Sequence, residues 1–349
     1  MTIPFSINGF GRMGRALARV ALGRADLELV AINDRMPARS LAGLLARDSV
    51  HGRFPGVVEA ADGALIVDGR RIPVFQHEDP AAIPWDGTGA LVVVEATGAF
   101  TRRRAAARHL RTGGPRRVLV SAIVDDAEAA MCPGLESAVA PEAQVISGLS
   151  CTSHCLALLL DVLDRGPGIE RALMNEVHSY TADQCLLDGD HNDARRARSA
   201  AINIVPTRTA APTALAKWLP RFNGRLDGMA VRVPTPNVAL LELVATLSRP
   251  SEVSELRRLF VEAAAGRHVG LLAVTEDPLV SSDIVGDPAS ALVDLELITS
   301  VGDLCRVVAW YDNEWGYAHR LADFLATLGA EEAVGSVASN PRETLASHR

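Results

Sequence analysis

The sequence predicts a chain of two α/β units: a parallel sheet covered by helices, then an α+β unit whose sheet is mixed and largely antiparallel. Three observations carry that expectation. At 349 residues the chain exceeds what one hydrophobic core usually spans, and 48% hydrophobic with 22% charged residues is the composition of an ordinary folded protein. The first half alternates short β-branched runs with Ala/Leu/Arg-rich stretches of helical length, the pattern of strands buried on both faces by crossover helices. After residue 151 the strand-like runs lengthen and that alternation stops.

Taken in order, residues 4–8, 27–33, 90–95 and 117–121 read as strands, and residues 15–22, 41–47 and 102–111 as the helices among them. The stretch 56–74 carries Asp62-Gly63 and Asp68-Gly69 and reads as antiparallel hairpins inserted into the parallel pattern. A short strand at 144–147 gives way to a helix over 152–163, stopped at Arg165-Gly166-Pro167. Strands follow at 172–179, 228–232, 238–246, 292–298 and 304–310. Between Thr181 and Val205 lies a polar, Arg-rich segment that reads as a long functional loop. A last helix begins at Trp315, runs to 328–330 with one apolar face and packs back on the first unit. The units are therefore expected at 1–150 and 151–314, with a C-terminal tail over 331–349.

Composition excludes several functions. The 35 Lys+Arg against 42 Asp+Glu give a net charge of -7, without the basic bias that draws a chain to nucleic acid, and 4% aromatic residues give few stacking platforms. No apolar run approaches the roughly 18–20 residues that cross a bilayer, so no membrane partner is expected. Five Cys, an odd number, and no basic-then-apolar leader point to a reducing cytosol. The spacing Cys151-x-x-x-Cys155 without further ligands is poor evidence for a metal, and none is expected.

Two motifs carry chemistry. Gly9-Phe10-Gly11-Arg12-Met13-Gly14 follows the first strand and opens the first helix, where glycines let the backbone approach a pyrophosphate seated on unpaired helix N–H groups. Asp34 stands 20 residues after Gly14 at the end of the next strand, placed to accept from the hydroxyls of an adenine-side ribose. The first unit is thus expected to be a dinucleotide-binding Rossmann domain. The charge of Asp34 opposes a ribose 2′-phosphate and favours NAD over NADP, although Arg35 beside it offers a cation. The second motif is Ser150-Cys151-Thr152-Ser153-His154-Cys155, which places Cys151 where a strand gives way to a helix. The positive end of the helix dipole is expected to lower that thiol's pKa. Cys155, Cys132, Cys185 and Cys305 read as inert residues. A nucleophilic thiol needs a proton acceptor; among nine His, residue chemistry leaves His178, His154 and His191 as alternatives.

Six ordered motifs resemble one family. Ile7 to Arg15, Ser150-Cys151-Thr152, His178-Ser179-Tyr180-Thr181, Arg195-Arg196-Ala197-Arg198, Arg232 to Asn237 and Trp310 to Tyr317 are similar to the phosphorylating glyceraldehyde-3-phosphate dehydrogenases, over residues 3 to about 328. The resemblance implies that Cys151 adds to the aldehyde, that His178 is the base, and that hydride passes to NAD. The acyl-thioester left on the sulfur would be attacked by inorganic phosphate to give 1,3-bisphosphoglycerate. It further implies that Gly9, Gly11, Arg12, Met13, Gly14, Asp34, Thr97, Ser121 and Asn313 hold the cofactor. Thr181 and Arg232 would take the substrate phosphate, and Ser150, Thr152, Thr209 and Ala210 the attacking one. A homotetramer is implied, with the 181–205 loop near a neighbouring subunit.

The residues support an anionic, phosphorylated substrate independently. An otherwise acidic chain concentrates Thr181, Arg195, Arg196, Arg198, Thr207, Arg208 and Thr209 in one segment, and forked guanidinium donors suit phosphate oxygens. Arg195 and Arg208 are assigned to those pockets, whereas Arg196 and Arg198 read equally well as a solvated basic face.

Departures from the family pattern are informative. His154 stands where the family usually has Asn and reads as filling the space of that amide. Thr209-Ala210-Ala211-Pro212-Thr213 replaces T-G-A-A-K after Arg208, so a methyl and a cation enter the second anion pocket. Ser147-Gly148-Leu149 replaces S-N-A, and Ser121-Ala122-Ile123 lacks the usual proline. These changes keep open a paralogue for another phosphorylated or phosphonate aldehyde, such as erythrose 4-phosphate, although Tyr180-Thr181 speaks against the erythrose branch. A catalytically silent nucleotide-binding sensor is opposed by the presence of both Cys151 and His178.

Overall fold

The computed structural model describes residues 2–133 and 139–338, with residues 331–338 as helical backbone alone. The first sheet begins on seven parallel strands in the order Ala129–Ala130, Val145–Ser147, Arg117–Val120, Val92–Glu95, Ile3–Asn8, Leu27–Asn33 and Arg70–Phe75. Ala64–Val67 and Val58–Ala61 extend it as antiparallel strands, the hairpins expected from the two Asp-Gly turns. Phe5, Ser6 and Ile7 are fully buried, as are Val92, Val93 and Val94, because the first and last helices cover one face of these central strands and the short turns carrying Ile83 and Trp85 cover the other.

The strand Ile3–Asn8 lies between Leu27–Asn33 on one side and Val92–Glu95 on the other. The chain order reverses about this strand, and a crevice opens beyond the carboxyl ends of the strands at such a switch point. Asn8, Asn33 and Glu95 end the three strands there. The helix Arg12–Leu22 starts from the crevice, and the terminal helix Trp315–Ala338 packs beside it. Tyr317, Leu321 and Leu325 share one core with Phe5, Leu17, Ile32 and Leu119.

The second sheet is mixed and largely antiparallel. Its order is Val205–Thr207, Leu226–Val233, Ile169–Ser179, Ala239–Leu247, Leu304–Tyr311, Ala291–Asp294 and Leu272–Thr275, with Thr299–Val301 also on Leu304–Tyr311. Only Ile169–Ser179 with Leu226–Val233, and Ala291–Asp294 with Leu272–Thr275, run parallel among these pairs. The helix Cys151–Arg165 is buried from Thr152 to Leu163 and fills the second core with Leu156, Leu160, Met174, Leu243, Phe260 and Val307.

Several expected elements change. The first helix starts at Arg12 rather than 15, its opening turn hidden in the sequence by Gly14. Residues 102–111 form one α-turn, Arg103–Ala106, and a 3₁₀ turn, Ala107–His109, that directs His109 into the core. The strand expected over 292–298 stops at Asp294, whose Oδ1 accepts from Glu296 N at 3.2 Å and caps a 3₁₀ turn. The terminal helix continues into the expected tail as far as Ala338; residues 339–349 lie outside the described residues. No helix among the described residues is long and apolar enough to cross a membrane.

Candidate active site

The phosphate loop forms because two of its positions exclude a side chain. Gly9 has φ +92°, and a Cβ on it would lie 2.7 Å from the amide nitrogen of Thr97; one on Gly14 would lie 2.1 Å from the carbonyl oxygen of Gly9. Gly11 caps the helix without a side-chain bond, so the first helical N–H groups stay free, and a Cβ there would meet nothing within 4 Å. A helix N-terminus without a side-chain cap, beside open space at Gly11, fits a pyrophosphate. Asp34, at the end of the neighbouring strand, accepts from Phe10 N at 2.7 Å and Met36 N at 2.9 Å, which ties the carboxylate to the loop. The Arg12 guanidinium is engaged inside the protein, by Asp48 at 2.5 Å and by Glu314 through Nε at 2.7 Å. Arg12 and Met13 therefore border the cavity while the backbone supplies the free donors.

Buried contacts fix the rest of this wall. Glu95 pairs with His109 at 3.0 Å, accepts from Asn8 Nδ2 at 2.6 Å and receives Thr97 N at 2.8 Å on its other oxygen. Ser121 Oγ donates to the Glu95 carbonyl at 3.1 Å. Asn313 Oδ1 accepts from Ser179 Oγ at 3.1 Å, so it is fixed by the residue next to His178. Thr97, Ser121 and Asn313 all line one cavity of about 920 Å³ with Gly11, Cys151 and His178.

Cys151 is the first residue of its helix. Leu149, two positions earlier, is buried with φ 55°, a left-handed conformation uncommon for a non-glycine residue, and turns the chain from strand to helix. Ser150 caps the helix, its Oγ accepting from Ser153 N at 3.1 Å. Cys151 Sγ stands 3.8 Å from His178 Nε2. His178 Nδ1 donates to the Ser179 carbonyl at 2.7 Å; a carbonyl can only accept, so Nε2 presents its lone pair to the thiol.

This contact separates the three His alternatives. His154 donates Nε2–H to the Gly148 carbonyl at 2.8 Å and packs against Tyr317 and Phe324, a buried filler whose pKa burial pulls down to about 3. His191 Nδ1 accepts from Asp193 N at 2.8 Å within the loop. All five cysteines are free; Cys132, Cys155 and Cys305 are buried.

One expectation is corrected. The Cys151 thiol is not lowered by its helix end: burial first, then the nearby Glu176 charge, push it up to about 12 against the opposing pull of Thr152 and Arg232. Burial, with Arg232 next, brings His178 down to about 3. The resting pair is a neutral thiol facing a neutral imidazole.

The anion seats lie beside this pair. Arg232 Nη1 donates to Thr181 Oγ1 at 2.9 Å and to the Ser179 carbonyl at 3.2 Å, while its buried Nε has no partner among the described residues. Ser150, Thr152, Arg208, Thr209 and Ala210 line the same cavity, and Thr152 Oγ1 accepts from Tyr311 OH at 3.1 Å. Arg195 is a second correction: it is exposed and stands outside the cavity lining, because the turn at 194–197 sends its neighbour inward instead. Arg196 lines the cavity and is held by Asp183 at 2.7 Å and Thr207 Oγ1 at 3.0 Å.

Sequence reasoning missed Glu176. It lines the cavity, is 1% exposed, and puts Oε1 3.7 Å from His178 Nε2. The signal was present: Ala172, Met174, Glu176 and His178 alternate inward along one strand, so Glu176 shares the face of His178. Among the described residues no group of three or more His, Cys, Asp or Glu is arranged to hold a metal.

Comparison with known proteins agrees with this geometry. Residues 3–103 match the family model for the glyceraldehyde 3-phosphate dehydrogenase NAD binding domain, and residues 150–313 that for its C-terminal domain. The chain is 45% identical over 332 residues to glyceraldehyde-3-phosphate dehydrogenase 1 of Streptomyces avermitilis, covering 94% of this chain and 99% of that protein. It is 44% identical over 334 residues to the glyceraldehyde-3-phosphate dehydrogenase of Geobacillus stearothermophilus, covering 95% and 99%. To that of Kitasatospora aureofaciens it is 46% identical over 328 residues, covering 93% and 98%. With a free-amide phosphate loop, a Rossmann sheet and a cysteine–histidine pair in one cavity, the chain is an NAD-dependent oxidoreductase and belongs to the glyceraldehyde-3-phosphate dehydrogenase family.

Proposed function

We propose that this protein oxidises glyceraldehyde 3-phosphate with NAD through covalent intermediates on Cys151. The observation that carries the reading is the 3.8 Å approach of Cys151 Sγ to the unprotonated Nε2 of His178, in the same cavity as the phosphate loop. Arg232 and Thr181 would seat the substrate phosphate, with Arg196 as a further cation on the wall. His178 takes the thiol proton as sulfur adds to the aldehyde carbon, and returns it to the oxygen of the thiohemiacetal. The chemistry that bound NAD would supply is acceptance of the hydride from that carbon. Asn313 would hold the cofactor's carboxamide, Thr97 and Ser121 would line its pocket, and Asp34 would bind the adenosine ribose. His178 removes the hydroxyl proton as the carbonyl re-forms, which leaves an acyl-thioester on Cys151.

Inorganic phosphate is the acyl acceptor that the family resemblance implies, at Ser150, Thr152, Thr209 and Ala210, with 1,3-bisphosphoglycerate as product. Oxidation to the thioester stands whichever nucleophile releases the acyl group. The resemblance also supports a homotetramer, and exposed Leu186, Leu187, Ile202 and Ile204 on the 181–205 loop support a face covered by another copy of this chain. The free cysteines are compatible with the reducing cytosol expected from the sequence.

The test is NADH formation from a panel of phosphorylated aldehydes, combined with mass spectrometry of rapidly quenched protein. Glyceraldehyde 3-phosphate should give the fastest first turnover and an acyl adduct on Cys151, both lost in Cys151→Ser. Turnover that proceeds without an adduct overturns the reading.

A further inference from the structure

We propose that Glu176 is a base that delivers water to the acyl-thioester, so that this protein releases a free carboxylate instead of an acyl phosphate. The inference rests on the thioester reading above and concerns what removes the acyl group.

Glu176 sits two residues before His178 on one strand face, fully enclosed by the site. His178 Nε2 has Glu176 Oε1 at 3.7 Å and Cys151 Sγ at 3.8 Å, so carboxylate and sulfur converge on one nitrogen. The other oxygen, Oε2, is buried and has no hydrogen-bond partner among the described residues. A carboxylate oxygen left without a donor in a protein interior is costly and calls for a partner from solvent or substrate. Water is such a donor for this oxygen, while the Thr152 and Thr209 hydroxyls already hydrogen-bond the carboxylate and hold it in place beside His178.

The same residues argue against phosphate. Thr152 and Thr209 belong to the seat that the resemblance gives the attacking phosphate, and a carboxylate between them opposes a second anion. Ala210 carries a methyl where that seat requires close backbone approach. Pro212, in the first turn of the helix Ala211–Trp218, removes one of the N–H groups that could meet an anion there. The nearby guanidinium of Arg196 is already paired with Asp183. Burial also lifts the Glu176 carboxyl above its usual range, only partly offset by Arg232, Thr152 and Thr209, which makes it a stronger base than a surface glutamate.

The step balances without a further oxidant. Glu176 takes a proton from water as the water oxygen bonds to the acyl carbon; the carbon–sulfur bond then breaks and sulfur leaves with its electron pair. The proton passes from Glu176 through His178 Nε2 to the sulfur, restoring the thiol, and the substrate leaves as the free acid.

The experiment follows NADH and identifies the product by phosphorus NMR, with and without inorganic phosphate, for the wild type, Glu176→Gln and Glu176→Thr. The wild type should turn over at the same rate without phosphate and release the free acid. Glu176→Gln should lose phosphate-free turnover by about a hundredfold, the scale of a lost general base, while the first-turnover burst of NADH and the Cys151 adduct remain. Glu176→Thr should make turnover phosphate-dependent; if it does not fold, the isosteric Gln variant decides. A wild-type burst followed by turnover only with phosphate, or phosphate-free turnover unchanged in Glu176→Gln, overturns this inference alone. A wild type with no burst overturns the dehydrogenase reading and this inference with it.

Discussion

Arg12 and Glu314, 302 residues apart, are joined by a hydrogen bond of 2.7 Å from Nε to Oε1 and a second contact from Nη2 to Oε2. The fork clamps the phosphate loop to the residue after Asn313, so two segments assigned to the cofactor are joined by one ion pair. Asp48 and His51 complete the cluster, at 2.5 Å from Arg12 and 3.0 Å from Glu314.

Glu314→Gln should therefore lower stability by about 2–3 kcal/mol, between the values for exposed and buried pairs, and weaken NAD binding. Differential scanning calorimetry and fluorescence titration measure both. The same cluster gives an acid dependence. Against burial, the His51 and Val50 amides and Arg12 bring Asp48 down to about 2, and Arg12 with His51 holds Glu314 below its usual range. Carboxylates depressed in the folded state contribute stability above their unfolded pKa, and lose it as pH falls through the folded value. Asp48 should contribute about 2 kcal/mol that fades from near pH 4 to pH 2, visible as a falling unfolding midpoint that Asp48→Asn flattens.

The thiol should titrate late. With Cys151 pushed up to about 12, iodoacetamide labelling of the NAD-free protein should rise about tenfold per pH unit between pH 7 and pH 10, because the thiolate is the reactive form. A rate already flat at pH 7 would show that the helix end outweighs burial and Glu176. Glu176→Gln should move the whole profile to lower pH.

Asp34→Ala should reduce the preference for NAD over NADP by about tenfold or more, read as the ratio of kcat/KM values for the two cofactors. It also removes the acceptor of Phe10 N, so NAD affinity should fall as well. An unchanged ratio would show that Asp34 holds the loop without reading the ribose.

Leu187→Asp with Ile202→Asp should split the proposed homotetramer. These side chains are 77% and 80% exposed in the single chain, and a charge on each opposes burial against another copy. Sedimentation velocity should show a smaller species with the chain still folded by circular dichroism; an unchanged assembly places the interface elsewhere.

Alternation of strand and helix, the spacing of the three loop glycines to Asp34, and the position of Cys151 at a strand-to-helix junction made both sheets and the main site residues legible. Those features are local: a period, a turn or a cap is written in neighbouring residues. Tertiary structure decided what depends on residues far apart in the chain. It put the Nε2 of His178, the base that the resemblance implied, 3.8 Å from the sulfur, where residue chemistry alone had left His154 and His191 open. It moved Arg195 out of the cavity and Arg196 in, a rotation of one position on a turn that composition does not specify. It reversed the expected direction of the Cys151 pKa, since burial between both cores and the Glu176 charge push the thiol up. Glu176 itself was readable as an inward strand position. That its carboxylate meets two threonines, a histidine and a sulfur was fixed only when the strand, the Cys151 helix and the segment after residue 207 packed together, because distance sets the electrostatics of a site and sequence separation does not.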